Sequence, residues 1–499
     1  MINSYDISLL SSIPLAVLLP VSFLVLGILR LISTIVYNIY FHPLCSYPGP
    51  KLYAATRLAH SRMVLSGKAH KIIAELHKQY GPVVRLGPNT IGWADPQAYK
   101  DLVGHRKGKL ENPRDPVKAM SKPNGIMYAS TENHARIRQV LSHGFSTQSM
   151  LEQQPLIQKH INLLMQRLYE NCKDGALDMV AWYNFTGFDI IGDLAFGEPF
   201  GCLEKSDYHF WVSSFFDNLH AIVIGHELKR FWVTRQLTTW LVPAKLKKKA
   251  EIFKQLSLDK VHRRMASGES RPDFIQAMMM KEGDMSMSKS EIEETADTLI
   301  IGGAETTATV LSGATFFLTT HPDAIAKLVE EVRSSFRSEQ EIDLLSVQKL
   351  PYMLAVMNET MRLYPVLPTG ISRTIKPGGD YICERYVPEG TEVILSHWPF
   401  QHSDEYFAQP DAFIPERFLG DPRFVNDNKS ALMPFGTGPR NCIGRNLAMC
   451  QLRLILARVL WNFDLQIEDE SRSWMKIQKL YTLWKKGHLN VRLIPRKKC

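Results

Sequence analysis

One decamer constrains this 499-residue chain more than any other stretch: Phe435 to Gly444, F-G-T-G-P-R-N-C-I-G. It presents a single cysteine, Cys442, in a turn held by Gly436, Gly438 and Gly444, with Arg440 two residues ahead. The helical run that follows, R-N-L-A-M-C-Q-L-R-L-I-L-A-R-V-L, places that sulfur near a helix N-terminus. There the helix dipole and free backbone N–H groups favour a thiolate. A lone thiolate with backbone donors suits one axial bond to a haem iron. It suits a tetrahedral zinc site or a disulfide poorly. The plainer alternative is a buried structural cysteine in a glycine-rich turn.

The pattern F-x-x-G-x-R-x-C-x-G resembles the cysteine-ligand loop of the cytochrome P450 family at every fixed position. Phe435, Gly438, Arg440, Cys442 and Gly444 supply those positions. The resemblance implies haem b (iron protoporphyrin IX), with Cys442 as the axial ligand of the iron. It also implies the cytochrome P450 fold: mainly α with a small β portion, here preceded by an N-terminal transmembrane helix.

Hydrophobic residues make up 45% of the chain, enough for a large core. The seven cysteines are odd in number and widely scattered, which favours a reducing compartment over a disulfide framework. The formal charge of +9 is dispersed and lacks aromatic interleaving, which argues against nucleic acid as a partner. From Ile7 to Leu29 no side chain is charged. Those 23 residues, at about 1.5 Å each, can cross a hydrocarbon layer about 30 Å thick. The stretch is too long for a cleaved signal peptide, and no basic segment precedes it. Arg30, Lys51 and Arg57 follow the span and Asp6 precedes it, so the bulk of the chain is expected on the cytoplasmic side.

The expected organisation is a membrane anchor over residues 1–30, a proline-containing hinge over 31–50 and a haem-binding catalytic domain over 51–499. The stretch Y-G-P-V-V-R-L-G-P-N-T-I-G-W reads as a hairpin, and residues 130–365 as mainly helical. Short strands are expected between Pro377 and Leu395 and again from Leu489 to Ile494.

A capping box, Ser288-x-x-Glu291, opens a helical run that stops at His321-Pro322, about 32 residues or ~48 Å long. In its middle lies Gly302-Gly303-Ala304-Glu305-Thr306-Thr307. Two glycines inside a helix cost about 1 kcal/mol each, which usually means something approaches the backbone closely. Thr306 can bond back to the carbonyl at position 302 and loosen the ladder, leaving a groove for a ligand. The segment resembles the family's oxygen-binding motif. By that resemblance Gly303 borders the haem, Thr306 hydrogen-bonds dioxygen and Glu305 helps relay protons. Tight packing of a core helix is the alternative.

Glu359 and Arg362 share a helix face in M-N-E-T-M-R, surrounded by apolar residues that imply burial and a further partner. The resemblance implies that Arg417, in Pro415-Glu416-Arg417-Phe418, completes a structural triad with them. For the haem propionates it implies Arg440, Arg373, Arg138 and His134. Most relatives carry tryptophan where His134 stands.

Together these imply a membrane-anchored haem-thiolate monooxygenase that inserts one oxygen atom from O2 into a lipophilic small molecule by hydroxylation or epoxidation. No Gly-rich nucleotide-binding unit accompanies the site, so electrons must come from a separate protein. The resemblance makes that partner NADPH-cytochrome P450 reductase, with cytochrome b5 as a second donor, on the endoplasmic reticulum membrane. Lys245 to Lys249 offers a docking patch, though attraction to a membrane surface explains it equally. An apolar pocket is expected from residues 112–130, Phe210–Ile224, 297–306, Val366–Ile371 and the neighbourhood of Tyr481. Within it Phe215, Phe216, Leu219, Ile222 and Val223 read as one face. The segments F-H-P-L-C-S-Y-P-G-P and R-I-R-Q-V-L-S-H-G-F-S resemble microsomal members from filamentous fungi. That resemblance implies a terpenoid, polyketide or alkaloid intermediate as substrate. A haem-thiolate isomerase or dehydratase of the same fold, and a non-catalytic haem-binding protein, are the alternatives.

Overall fold

The computed structural model describes residues 15–106, 108, 110–119, 122–231, 234–236, 244–280 and 285–496. Its main helices are α1 (Leu15–Val36), α2 (Arg57–Leu65), α3 (Thr131–Ser142), α4 (Thr147–Asn171) and α5 (Met179–Phe196). They continue with α6 (Phe210–Lys229), α7 (Lys289–Thr320), α8 (Pro351–Leu363) and α9 (Arg445–Asn462). The strands used below are β1 (Val83–Gly87), β2 (Thr90–Trp93), β3 (Leu177–Asp178), β4 (Ile371–Thr374), β5 (Asp380–Ile382), β6 (Arg385–Val387) and β7 (Glu392–Leu395). Four more follow: β8 (Phe463–Ile467), β9 (Lys479–Tyr481), β10 (Leu483–Lys485) and β11 (Asn490–Pro495).

The apolar stretch Ala16–Phe41 is helical, has no buried residue and is long enough to cross a membrane. Residues 1–14, which include eight of the 23 residues of the expected span, lie outside the described residues. The helix also runs past residue 30 into the segment expected to be hinge. Nothing in L-I-S-T-I-V carries a charge or breaks a helix, and the first proline beyond it is Pro43.

The predicted hairpin is β1–β2, and β7 pairs parallel to β2 with β4 on its far edge. The expected C-terminal strand, β11, lies between β3 and β8. Helix α7 begins and ends where its signals place it. Ser288 accepts from the Glu291 N–H at 3.3 Å while Glu291 accepts from the Ser288 N–H at 2.8 Å. At 32 residues it traverses the domain, and α5 lies against it with all its residues but Ala181 buried. The two backbones come close where a Cβ on Gly187 would sit 3.0 Å from the Ala304 carbonyl oxygen.

Five charges tie α2, α6 and the segment around Asp115 to the sheet. Arg230, just past α6, pairs with Asp115 and with Glu392 of β7 at 3.3 Å, while Arg57 of α2 reaches Glu392 at 3.1 Å. Glu227 of α6 completes the network through Arg230 at 3.5 Å. Burial pushes the Glu392 carboxyl up, but Arg230 and Arg57 outweigh it and hold it at about 2. Stability from this link is therefore complete above the ordinary glutamate value of 4.5 and is lost as pH falls toward 2.

Candidate active site

The Cys442 loop is fixed by backbone bonds before any cofactor is considered. The Cys442 N–H donates to the Phe435 carbonyl at 2.8 Å, and the Asn441 N–H to Gly438 at 3.1 Å. Gly436 and Gly438 take φ of 68° and 79°, where a side chain is strained. Gly444 has φ −84°, so its place is set by capping α9 rather than by left-handed backbone. Cys442 is exposed on one face, yet protein crowds the sulfur on the others. That burial pushes the free thiol above its ordinary value of 9, against the Gly444 N–H and the guanidiniums of Arg138 and Arg445. The same three groups would stabilise a thiolate once a cation binds it. A Cβ on Gly438 would collide with the Val103 carbonyl oxygen. We expect Gly438→Ala to purify with less than a tenth of the wild-type haem content, read by pyridine haemochrome against protein.

On α7, Thr306 donates to the Gly302 carbonyl at 2.7 Å, as its spacing predicts. Gly302 is exposed and a Cβ there would meet nothing within 4 Å. Gly303 differs: a Cβ there would lie 2.5 Å from Cδ1 of Ile191 on α5. The close approach expected of this glycine pair is thus made at Gly303 by a neighbouring helix, and the open position is Gly302. Glu305 is fully buried, pairs with Lys486 beyond β10 and accepts from Thr309 at 3.3 Å. Its side chain and that of Thr306 therefore have separate partners.

The expected propionate residues converge, and a further one joins them. Arg440 donates to Glu111 at 2.7 and 2.9 Å and to the Ala129 carbonyl at 2.9 Å. Arg138 donates to the Asn441 carbonyl at 2.7 Å, bracing the ligand loop. Among the described residues Arg373, 1% exposed, donates only to the adjacent Ser372 carbonyl, and its Nε is buried without a partner. Sequence reading missed Arg114, whose Nε is likewise unpartnered and whose guanidinium lies 6.0 Å over the Tyr128 ring. Burial, then the like charge of Arg114, lowers Arg373 to about 9, and burial with Arg440 lowers Arg114. Burial followed by Arg440 lowers His134 to about 4. Three guanidiniums thus face one carboxylate, Glu111, and the residues fit a dianionic haem. We expect Arg373→Met to raise the melting temperature of haem-free protein. In the holoprotein it should speed haem loss to a scavenger about tenfold or more.

Beside the loop, Glu359 accepts from Arg362 at 2.7 and 2.8 Å and from Arg417 at 3.0 Å, with all three side chains fully buried. Met433 and Pro434 next to the loop, with Lys100, Lys429, Arg445 and Arg453, line an open cleft of about 840 Å³. The backbone of Lys245 to Lys249 is helical and Lys248 is exposed, while the other four side chains lie outside the described residues. Of the expected apolar face on α6, Phe215, Leu219 and Val223 are buried and Ile222 is 43% exposed.

Comparison with known proteins agrees with this geometry. The family model for cytochrome P450 matches residues 48–491. The chain is 44% identical to a trichothecene C-15 hydroxylase of Fusarium sporotrichioides, covering 94% of this chain and 97% of that one. It is 43% identical to an averantin hydroxylase of Dothistroma septosporum (93% and 89% covered). It is also 42% identical to the cytochrome P450 monooxygenase astA of Talaromyces wortmannii (92% and 94%). The chain belongs to the cytochrome P450 family.

Proposed function

We propose that this protein is a membrane-anchored monooxygenase transferring one atom of dioxygen to a lipophilic small molecule in a fungal secondary-metabolite pathway. Haem bound through a thiolate supplies reductive activation of dioxygen and transfer of one oxygen atom to an unactivated carbon. The observation that carries the reading is the pairing of Cys442, on its pre-formed loop, with a buried guanidinium cluster short of anions. In this reading Cys442 ligates the iron, with Phe435, Gly438 and Gly444 shaping its loop. Arg440, Arg373, Arg138, Arg114 and His134 take the propionates. Thr306 orients dioxygen and Glu305 supplies it with protons. Gly303 acts through helix packing, and Glu359, Arg362 and Arg417 hold the fold behind the loop.

The α1 helix supports attachment to the endoplasmic reticulum with the catalytic domain in the cytoplasm. NADPH-cytochrome P450 reductase is the electron donor, with cytochrome b5 as a second. The basic cleft beside the ligand loop suits an acidic electron-transfer partner. A relay pair retained on α7 favours oxygen insertion over isomerase or dehydratase chemistry. Two relatives are named as a trichothecene C-15 hydroxylase and an averantin hydroxylase, and lipophiles of those kinds are the first candidate substrates.

The test is purified full-length protein in lipid with the reductase, NADPH and a panel of such lipophiles. The reading expects oxygenated product that requires NADPH and takes its new oxygen from ¹⁸O₂. Turnover that persists without NADPH or dioxygen overturns it.

A further inference from the structure

Lys486 has no place in the functional reading above, yet it is 2% exposed and its ammonium ion pairs with a fully buried carboxylate. It donates to Glu305 Oε1 and, at 2.9 Å, to Thr309 Oγ1. Its position is imposed from the C-terminal hairpin. Trp484, two residues earlier on β10, donates from its indole nitrogen to the Pro365 carbonyl at 2.9 Å and stacks on Tyr364 at 4.8 Å. Both Tyr364 and Trp484 are buried. The second carboxylate oxygen, Oε2 of Glu305, is buried with no hydrogen-bond partner. A buried carboxylate oxygen without a donor is costly, and such groups are kept where a mobile proton or water uses them.

We propose that Lys486 is a positioning residue for proton delivery, fixing Glu305 through Oε1 and leaving Oε2 free to take a proton and pass it on toward Thr306. The step moves one proton: a water O–H bond breaks as an O–H bond forms at Oε2, and as that bond breaks in turn Thr306 Oγ1 takes the proton while its own hydroxyl proton passes to the dioxygen it holds. It needs no reductant of its own. The inference rests on the monooxygenase reading, because the proton's destination is dioxygen held at Thr306.

The groups facing Glu305 from other elements are Lys486, Tyr208 ahead of α6 and Tyr364 after α8. Burial raises both phenols, the Tyr364 one well above its ordinary value, so both stay neutral at working pH. On α7 itself Thr309 adds an uncharged hydroxyl. Burial pushes the Glu305 carboxyl up, and the Lys486 charge is the strongest influence pulling it back. Removing that charge must therefore shift the carboxyl's titration to higher pH.

Infrared difference spectra of the ferric holoenzyme read this without substrate or reductase. The protonated Glu305 carbonyl band is assigned by its loss in Glu305→Gln, and its titration midpoint is compared among variants. Lys486→Met should raise the midpoint by at least about one pH unit, and Lys486→Arg should restore it. In turnover, Lys486→Met should at least double the peroxide released per NADPH and increase the solvent isotope effect. The double variant with Glu305→Gln should behave as Glu305→Gln alone. An unmoved midpoint, or effects that simply add in the double variant, overturns the proposal. If Lys486→Met does not fold, Lys486→Gln and Lys486→Arg supply the same comparison. A shifted midpoint in a protein that never oxygenates any lipophile would count against the monooxygenase reading and leave the ion pair standing.

Discussion

Glu359→Ala is expected to leave no folded holoprotein at 37 °C. One carboxylate there satisfies Arg362 and Arg417 together, and it also accepts from the Ile414 N–H at 2.9 Å. Removing it leaves one positive charge uncompensated where no water reaches. Breaking a buried ion pair by deleting one partner costs about 3–5 kcal/mol, and here a single deletion breaks two. Total stabilities of native domains are only about 5–15 kcal/mol, so most of the margin disappears. Arg362 keeps its bonds to the carbonyls of Gln401 at 2.8 Å and Ala412 at 3.0 Å, and Arg417 keeps Asp427. Asp427 balances Arg417, but carbonyl oxygens cannot neutralise Arg362. Thermal unfolding followed by circular dichroism checks this. A melting temperature within a few degrees of wild type would mean that the triad contributes little.

The second large effect belongs to Cys442. Cys442→Ser changes one atom, and the loop around it is held by backbone bonds that serine leaves in place, including the 2.8 Å bond to the Phe435 carbonyl. The fold should therefore survive, with a melting temperature of the haem-free protein close to wild type. Oxygenation should not. Losing an outer partner of a metal ligand typically costs 10–100-fold, and this substitution removes the ligand itself. We expect product formation to fall more than about 100-fold and haem retention to fall with it. Replacing both the turn glycines and the cysteine would confuse folding with chemistry, which is why the single substitution is informative.

Much of this architecture was legible because its signals are local. The Ser288 capping box and His321-Pro322 mark both ends of α7, and Tyr80 to Trp93 carries its own hairpin. The Thr306 bond to Gly302 follows from helical spacing alone. What was not legible depends on contacts far apart in sequence. Lys486 lies 181 residues from Glu305, in a run of lysines that reads as ordinary surface charge. Arg114 sits in E-N-P-R-D-P, a stretch with no periodicity to betray burial, and only the fold brings it to Arg373 and Arg440. Gly303 signalled a close approach correctly, but nothing local identifies Ile191 as what approaches. The C-terminal end of α1 lies past residue 30, although Arg30 reads as an end, because one charge does not stop a helix.

The central claim is that Cys442 binds haem iron as a thiolate in this chain. It is tested most directly by the absorption spectrum of the reduced, carbon monoxide-bound holoprotein, beside that of Cys442→Ser. The account predicts the strongly red-shifted band of thiolate-ligated haem in the wild type and its loss in the variant. The same band in both proteins would contradict it.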